Sequence, residues 1–329
     1  MSIAEIYRRR RTPQGSRAGR PRPTISFELF PPRDPNPHSA AWAGINRLLQ
    51  AGPDYVSVTF GASGASQELS RQALGHVLRR TGSPGLAHLT CVGRDKNGLD
   101  RLVSEMIADG TRDFLALRGD PPKGSREWTP QPGGLSRAAE LVELIRAVAQ
   151  RELGDARSVS IAVAAYPAGE ALTRKNAVAA LADKYAAGAD FAITQVFYRS
   201  QDYRDLVDAA AERGVALPIV PGIIPFTDVA RLRRLESLSG VGVPSELAGL
   251  SYIPDPRERL RATLSASLNF LDQLLLLGAD SFHFYTFNRA RPVLDLVGHL
   301  RSRGYGRVGP SESAQLLDLV SANLGRISP

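Results

Sequence analysis

Short apolar runs recur along the chain, roughly 25–35 residues apart, and a stretch with helix-spaced apolar positions follows each one. The runs fall at 24–30, 55–60, 86–92, 114–117, 160–166, 191–197, 217–224 and 281–287. Each ends abruptly at Pro, Gly or a polar cluster, as at Phe30-Pro31-Pro32, Gly61, Gly119, Pro167 and Pro225. The helical stretches lie at about 38–51, 66–80, 98–109, 136–151, 174–187 and 201–213. Further helices are predicted at about 227–239, 244–249, 256–277, 290–303 and 311–323. Near-continuous apolar strands mean that both strand faces are buried, as in parallel sheets. Eight such βα units in 329 residues predict an α/β fold, a single (β/α)8 TIM barrel with extra helices near the eighth strand. An open doubly wound sheet would place a Gly-x-Gly-x-x-Gly turn after the first strand, and Phe-Pro-Pro stands there instead.

Composition changes this picture only at the N-terminus. Hydrophobic residues make up 43% and charged residues 22%, as in an ordinary globular protein. No apolar stretch is long enough to span a membrane, and the start has no apolar h-region, so a cytoplasmic protein is expected. Cys91 is the only cysteine, which excludes an intrachain disulfide and a thiolate metal cluster. The net charge is +8, and residues 1–23 contribute most of it, with seven arginines against Glu5. That segment reads as a flexible or loosely docked extension, residues 1–23, ahead of a catalytic barrel at 24–329. Nucleic-acid binding is not expected, because the arm lacks interleaved aromatics beyond Tyr7. The chain carries only four lysines, so its arginine richness is a compositional habit and not a targeting mark.

In a barrel of this kind the chemistry collects at the C-terminal strand ends. Those ends read Glu28, Thr59, His88, Arg118 with Asp120, Tyr166, Gln195, and Thr286 with Asn288 and Arg289. A ring of polar groups on apolar strands predicts a polar pocket. Glu28, between Phe27 and Leu29, is either a desolvated general acid or a carboxylate paired with Arg118 or Arg289. Asp120 either meets a heterocycle's donor edge or a cation, or closes a salt-bridged turn. Gln195 offers a donor and an acceptor to an amide-like ring edge, or bonds neighbouring backbone. His88 and Cys91 lack metal-ligand spacing and no metal is expected; His283 reads as a satisfied core histidine. Gly61 and Gly64 are a weak phosphate signature and read as a turn.

The motifs at the strand ends resemble those of methylenetetrahydrofolate reductases. The similar stretches are Ser26-Phe-Glu-Leu-Phe-Pro-Pro32, Asp54-Tyr-Val-Ser-Val-Thr-Phe-Gly-Ala62, Ala87-His-Leu-Thr-Cys91 and Leu115-Ala-Leu-Arg-Gly-Asp-Pro-Pro122. Ala164-Ala-Tyr-Pro167, Ile193-Thr-Gln195, Pro221-Gly-Ile-Ile-Pro225 and Phe282-His-Phe-Tyr-Thr-Phe-Asn-Arg289 continue the likeness, in order, from about 24 to 300. The resemblance implies reduction of 5,10-methylenetetrahydrofolate to 5-methyltetrahydrofolate, with a small folate as partner and no membrane. By position, Glu28 would be the general acid, and Asp120 and Gln195 would hold the pterin. Thr59, Leu235 and Arg289 fall on substrate-pocket positions, and His88, Arg118, Tyr166 and Lys184 on cofactor positions. A monomer or small homo-oligomer is expected.

Most of that family carries FAD, and here the resemblance thins. After Ala-Ala-Tyr-Pro this chain continues Ala168-Gly-Glu-Ala-Leu-Thr173, without the histidine that lies on the flavin in relatives. The next helix reads Asn176-Ala-Val-Ala-Ala-Leu-Ala182, with only Lys184 at a matching basic position; Arg174 and Lys175 stand at another register. Arg137 lies near the place of a usual tyrosine. FAD is therefore doubtful, and NADH or NADPH is expected to pass hydride directly in a ternary complex. The alternatives are the same reaction through FAD by a ping-pong mechanism, or a pterin-binding methyltransferase barrel. A flavin-linked amino-acid dehydrogenase would give no reason for combining Arg118-Gly-Asp120 with the 282–289 motif.

Overall fold

Nine parallel strands form one sheet in a computed structural model that describes residues 2–11, 22–59, 64–120, 129–169 and 171–302. The strands are β1 (Thr24–Leu29), β2 (Tyr55–Val58), β3 (Gly85–Thr90), β4 (Asp113–Leu117), β5 (Ser160–Ala165), β6 (Phe191–Thr194), β7 (Ile219–Val220), β8 (Gly222–Ile223) and β9 (Ser281–Tyr285). Their order is β7-β6-β5-β4-β3-β2-β1-β9-β8. The two end strands are halves of one segment, interrupted at Pro221, which has no N–H to give to a ladder. β7 pairs with β6, β8 pairs with β9, and the Pro221 carbonyl accepts the His283 N–H at 3.0 Å. The ring thus closes through this kinked segment, giving the expected (β/α)8 barrel with the predicted seventh strand split in two.

Helices occupy the connections: α1 (Ile3–Arg11), α2 (Ala43–Gln50), α3 (Gly64–Thr81), α4 (Lys96–Ala108), α5 (Ala138–Leu153), α6 (Ala171–Ala186) and α7 (Ser200–Glu212). Next come α8 (Val229–Ser239), α9 (Ser245–Gly249), α10 (Pro256–Leu276) and α11 (Ala290–Ser302). Local chemistry sets several of their starts. Asp95, Asp228 and Asp255 cap α4, α8 and α10 by accepting the N–H groups of Gly98, Arg231 and Arg257. The helix predicted at 311–323 lies outside the described residues.

Side-chain alternation along each strand separates two apolar layers. On β1, Ile25, Phe27 and Leu29 pack outward with helix residues such as Trp42, Ile45 and Leu48. Tyr55, Leu86, Leu115, Ala162, Phe191 and Val220 form a separate cluster inside the barrel. The polar residues Ser26, Glu28, Ser57, His88 and His283 are buried too, and Ser26 and Ser57 oxygens lie 2.8 and 3.4 Å from the two His283 ring nitrogens. His283 is thus the satisfied core histidine expected from sequence.

The N-terminal segment departs from expectation. Residues 3–11 are a helix seated against the barrel interior, and not a loose arm. Its Ile3 and Ala4 N–H groups donate to Asp113 Oδ1 at 2.9 Å and Ser160 Oγ at 3.0 Å, at the starts of β4 and β5. Ile3, Ile6 and Tyr7 are buried in the interior cluster, and Tyr7 meets the Tyr55 hydroxyl at 3.0 Å. Arg10 and Arg22 bind the Asp280 carbonyl and the Asp54 carboxylate. The helical spacing of Ile3, Ile6 and Tyr7 was the local signal, masked by the arginines that follow. Residues 12–21 lie outside the described part.

Candidate active site

A cavity of about 370 Å³ opens where the strands end. Glu28, His88, Arg118, Asp120, Tyr166, Gln195 and Leu235 line it, so seven residues predicted from scattered motifs meet in one place. Three predicted residues do not line it: Thr59, Arg289 and Lys184, the last of which lines a neighbouring cavity. Thr59 is half-buried behind the rim, where its carbonyl accepts from Ser70 Oγ at 2.7 Å. Arg289 has a 62% exposed side chain and pairs with Asp228 at 3.6 Å.

Glu28 is 9% exposed and faces apolar Leu115 and Ile193 and the Tyr285 ring across the cavity. Burial pushes its pKa from 4.5 up to about 8, because a carboxylate there would lose hydration without gaining a cation. The arginine pairing considered from sequence does not form among the described residues. The nearest basic group is His88, whose Nε2 lies 3.8 Å from Glu28 Oε2, beyond hydrogen-bond reach. Burial pulls His88 down to about 4, so at neutral pH it carries no charge. Its Nε2 is buried with no hydrogen-bond partner among the described residues. Glu28 therefore stands protonated beside a neutral imidazole.

The turn after β4 places Arg118 and Asp120 at the rim. Gly119 has φ +88°, and a Cβ there would strike Val92, so the reversal needs glycine. Gln195 follows β6; its N–H donates to the Ala165 carbonyl at 2.7 Å, and its Oε1 accepts the Val196 N–H at 2.9 Å. The turn after β9 braces the strand that bears the acid. Thr286 Oγ1 donates to the Glu28 carbonyl at 2.6 Å. The Asn288 carboxamide takes the Phe30 N–H at 2.9 Å and gives to the Phe30 carbonyl at 2.8 Å. Phe30, Tyr285 and Phe287 also line the cavity, and the sequence reading missed all three. The signal for Phe30 was parity: residues 26, 28 and 30 point the same way on a strand.

A second cavity of about 370 Å³ shares Leu117, Arg118, Asp120, Ala164, Tyr166 and Gln195 with the first. Its far wall is Ala138 and Ala139 of α5 and Ala180, Asp183 and Lys184 of α6. Among the described residues, two of the cations here, Lys184 and Arg137, are engaged with the protein. Lys184 is buried, donates to the Ala164 carbonyl at 2.8 Å and lies 5.5 Å from the Tyr166 ring centroid. Burial, helped by Arg118, lowers its pKa to about 8. Arg137 pairs with Glu140 at 3.4 Å and with Asp183 at 3.7 Å. Arg174 pairs with Asp205 at 3.5 Å and is not part of the lining. A tightly held dinucleotide needs donors for two phosphate charges. Among the described residues, an alanine wall with Asp183 on it, and with Lys184 and Arg137 engaged, is a poor fit to resident FAD.

A (β/α)8 barrel with a protonated carboxylic acid buried beneath a polar pocket at its C-terminal mouth defines a small-molecule enzyme that can deliver a proton away from bulk water. The family model of methylenetetrahydrofolate reductase matches residues 15–301. The 5,10-methylenetetrahydrofolate reductase of Pectobacterium carotovorum subsp. carotovorum is 33% identical over 274 residues, covering 81% of this chain and 86% of that one. The Escherichia coli K12 enzyme of the same name is 32% identical, with the same two coverages. A Zea mays protein named methylenetetrahydrofolate reductase (NADH) 1 is 29% identical, over 86% of this chain and 49% of its own. Among solved structures, a Clostridium thermocellum protein that binds two copies of 5-methyl-5,6,7,8-tetrahydrofolic acid superposes with a TM-score of 0.55 at 13% identity. It covers 86% of this chain and 96% of its own, and at that identity it supports the fold alone. The chain belongs to the methylenetetrahydrofolate reductase family. It is an oxidoreductase, and the family's reaction reduces methylenetetrahydrofolate to methyltetrahydrofolate.

Proposed function

We propose that this chain reduces 5,10-methylenetetrahydrofolate by hydride transfer from NADH or NADPH, directly and without a flavin, with both substrates bound together. The observation that carries the acid step is Glu28 buried in the cavity wall with no cation in hydrogen-bond reach among the described residues, which raises its pKa to about 8. Its proton goes to the bridge nitrogen that leaves when the methylene ring opens to an iminium cation. Asp120 at the rim stabilises that cation and, with Gln195, holds the pterin edge. Hydride then adds to the iminium carbon and gives the methyl group. Leu235 lines the folate side of the cavity, while Thr59 and Arg289 support its rim from outside the lining.

Arg118, Tyr166 and Lys184 lie along the second cavity, where the nicotinamide donor would sit. His88, a cofactor candidate by resemblance, lies against Glu28 and borders the point where donor and folate meet. Few available phosphate donors among the described residues oppose a resident flavin more than a co-substrate. A co-substrate binds and leaves in every turnover and needs only modest affinity. The name of the maize relative carries NADH, which accords with a nicotinamide donor. No helix among the described residues is long and apolar enough to cross a membrane. The barrel from residue 24 onward carries the chemistry in this reading, with α1 as its structural seat.

The test is the spectrum of the purified protein together with initial rates at varied concentrations of both substrates. A colourless protein that oxidises NADH with methylenetetrahydrofolate and gives intersecting double-reciprocal lines is expected. About one FAD per chain, reducible by NADH, with parallel lines would sink the direct-transfer reading.

A further inference from the structure

Phe30 is an apolar ring left 37% exposed at the mouth of the cavity that Glu28 lines. It does not stand alone. The Phe287 ring packs on it with centroids 5.6 Å apart and planes 13° from parallel. The Arg231 guanidinium lies over Phe287, 4.7 Å from its centroid. Arg231, Phe287 and Phe30 thus form a ladder whose last member opens into the cavity.

The ladder is built at a cost in backbone strain. Phe287 and Asn288 have φ of +49° and +59°, left-handed values that a phenylalanine rarely adopts. The surrounding structure enforces them. Asn288 grips both backbone polar groups of Phe30, and its N–H donates to Thr286 Oγ1 at 3.0 Å. Behind the turn, Gly44 of α2 packs so closely that a Cβ would collide with the Asn288 carbonyl. Strain of this kind persists only where several contacts over-determine it, and such places cluster at ligand-binding sites.

We propose that Phe30, backed by Phe287, is the stacking platform for the aminobenzoyl ring of the folate. This rests on the folate-reducing reading of the pocket. The acid must reach the bridge nitrogen, and that nitrogen is bonded directly to the aminobenzoyl ring. The ring therefore lies next to Glu28, on the side away from the pterin edge. Phe30 is two residues further along the same strand face, about 7 Å toward the mouth. An offset-stacked aromatic there fixes the ring and with it the nitrogen that receives the proton. Phe30 touches the ligand, and Phe287 is a positioning residue that acts through it.

The experiment compares binding of 5-methyltetrahydrofolate and of 6-methyltetrahydropterin, which lacks the aminobenzoyl group, to wild type, Phe30→Leu, Phe287→Leu and Phe287→Tyr. Each leucine variant is expected to weaken folate binding about threefold to tenfold and to leave the pterin fragment unchanged. Phe287→Tyr should restore the folate affinity. Folate binding equal to wild type in Phe30→Leu, or equal losses for folate and fragment, overturns the platform. If Phe287→Leu fails to fold, Phe30→Leu still decides, because its ring is partly in solvent. A wild type that binds folate while the ring variants match it refutes the platform alone. A wild type that binds neither ligand overturns the pocket reading and the platform with it.

Discussion

Replacing Glu28 by glutamine should slow the enzyme and stabilise the protein at the same time. The side chain keeps its shape but loses its acidic proton. With a pKa of about 8, Glu28 is about nine-tenths protonated at pH 7, whereas at its ordinary 4.5 only about one in 300 would be. Losing a positioned general acid costs about 10²–10⁴ in rate, or about 3–5 kcal/mol of barrier. Stability moves the other way. Folding takes up a proton at Glu28, because the folded pKa lies above the unfolded one. Its stability is complete below about pH 4.5 and is lost progressively as pH rises through about 8. At pH 7 that loss is on the order of 3 kcal/mol. Glu28→Gln carries no such penalty, so its denaturant midpoint should exceed wild type at pH 7 and match it near pH 4.5. For wild type, kcat/KM should fall about tenfold per pH unit above about 8. Two assays suffice: reduced-nicotinamide oxidation with methylenetetrahydrofolate between pH 6 and 9, and denaturant unfolding at both pH values. A variant within about threefold of wild-type rate, or one no more stable at pH 7, refutes a buried protonated acid.

Asp120→Asn should lower kcat by about 10²-fold through lost stabilisation of the cation, with KM for NADH little changed. An unchanged kcat would remove Asp120 from the chemistry. Deleting residues 1–11 strips Ile3, Ile6 and Tyr7 from the barrel and leaves Asp113 without the Ile3 N–H, a loss of about 5 kcal/mol. Thermal unfolding should then fall by about 7 °C, and a Tm within about 2 °C of wild type would mean the helix is only appended. Gly44→Ala would normally favour a helix, but here it should destabilise by about 1–3 kcal/mol, because the new methyl meets the Asn288 carbonyl. Denaturant unfolding checks the sign, and a stabilised variant would show that the turn yields freely.

Local pattern carried much of the barrel. The apolar runs marked the strands, and Pro and Gly marked their ends. The C-terminal ends of those runs picked out Glu28, His88 and Gln195 as polar residues on apolar strands. The thinning of charge along α6 was likewise a property of the chain read in order, with Asn176 to Ala182 almost bare. The split of the seventh strand at Pro221 was not read from the sequence, where 217–224 stands as one run, although that residue cannot donate to a ladder.

What only the tertiary structure decided lies between residues far apart in the chain. The burial that raises the Glu28 pKa to about 8 comes from a cavity wall to which Leu115, Ile193 and Tyr285 contribute from three other strands. Ile3 finds Asp113 across 110 positions and Ala4 finds Ser160 across 156, which turns an arginine-rich arm into a seated helix. Asn288 reaches Phe30 across 258 positions and sets the aromatic pair at the mouth. Thr59 and Arg289 are not among the residues lining the cavity, although both follow strands that lead to it. Periodicity states which way a side chain points from its own strand. Which groups then meet, and how much water is left between them, follows from closure and register of the ring, and those are set by all its strands at once.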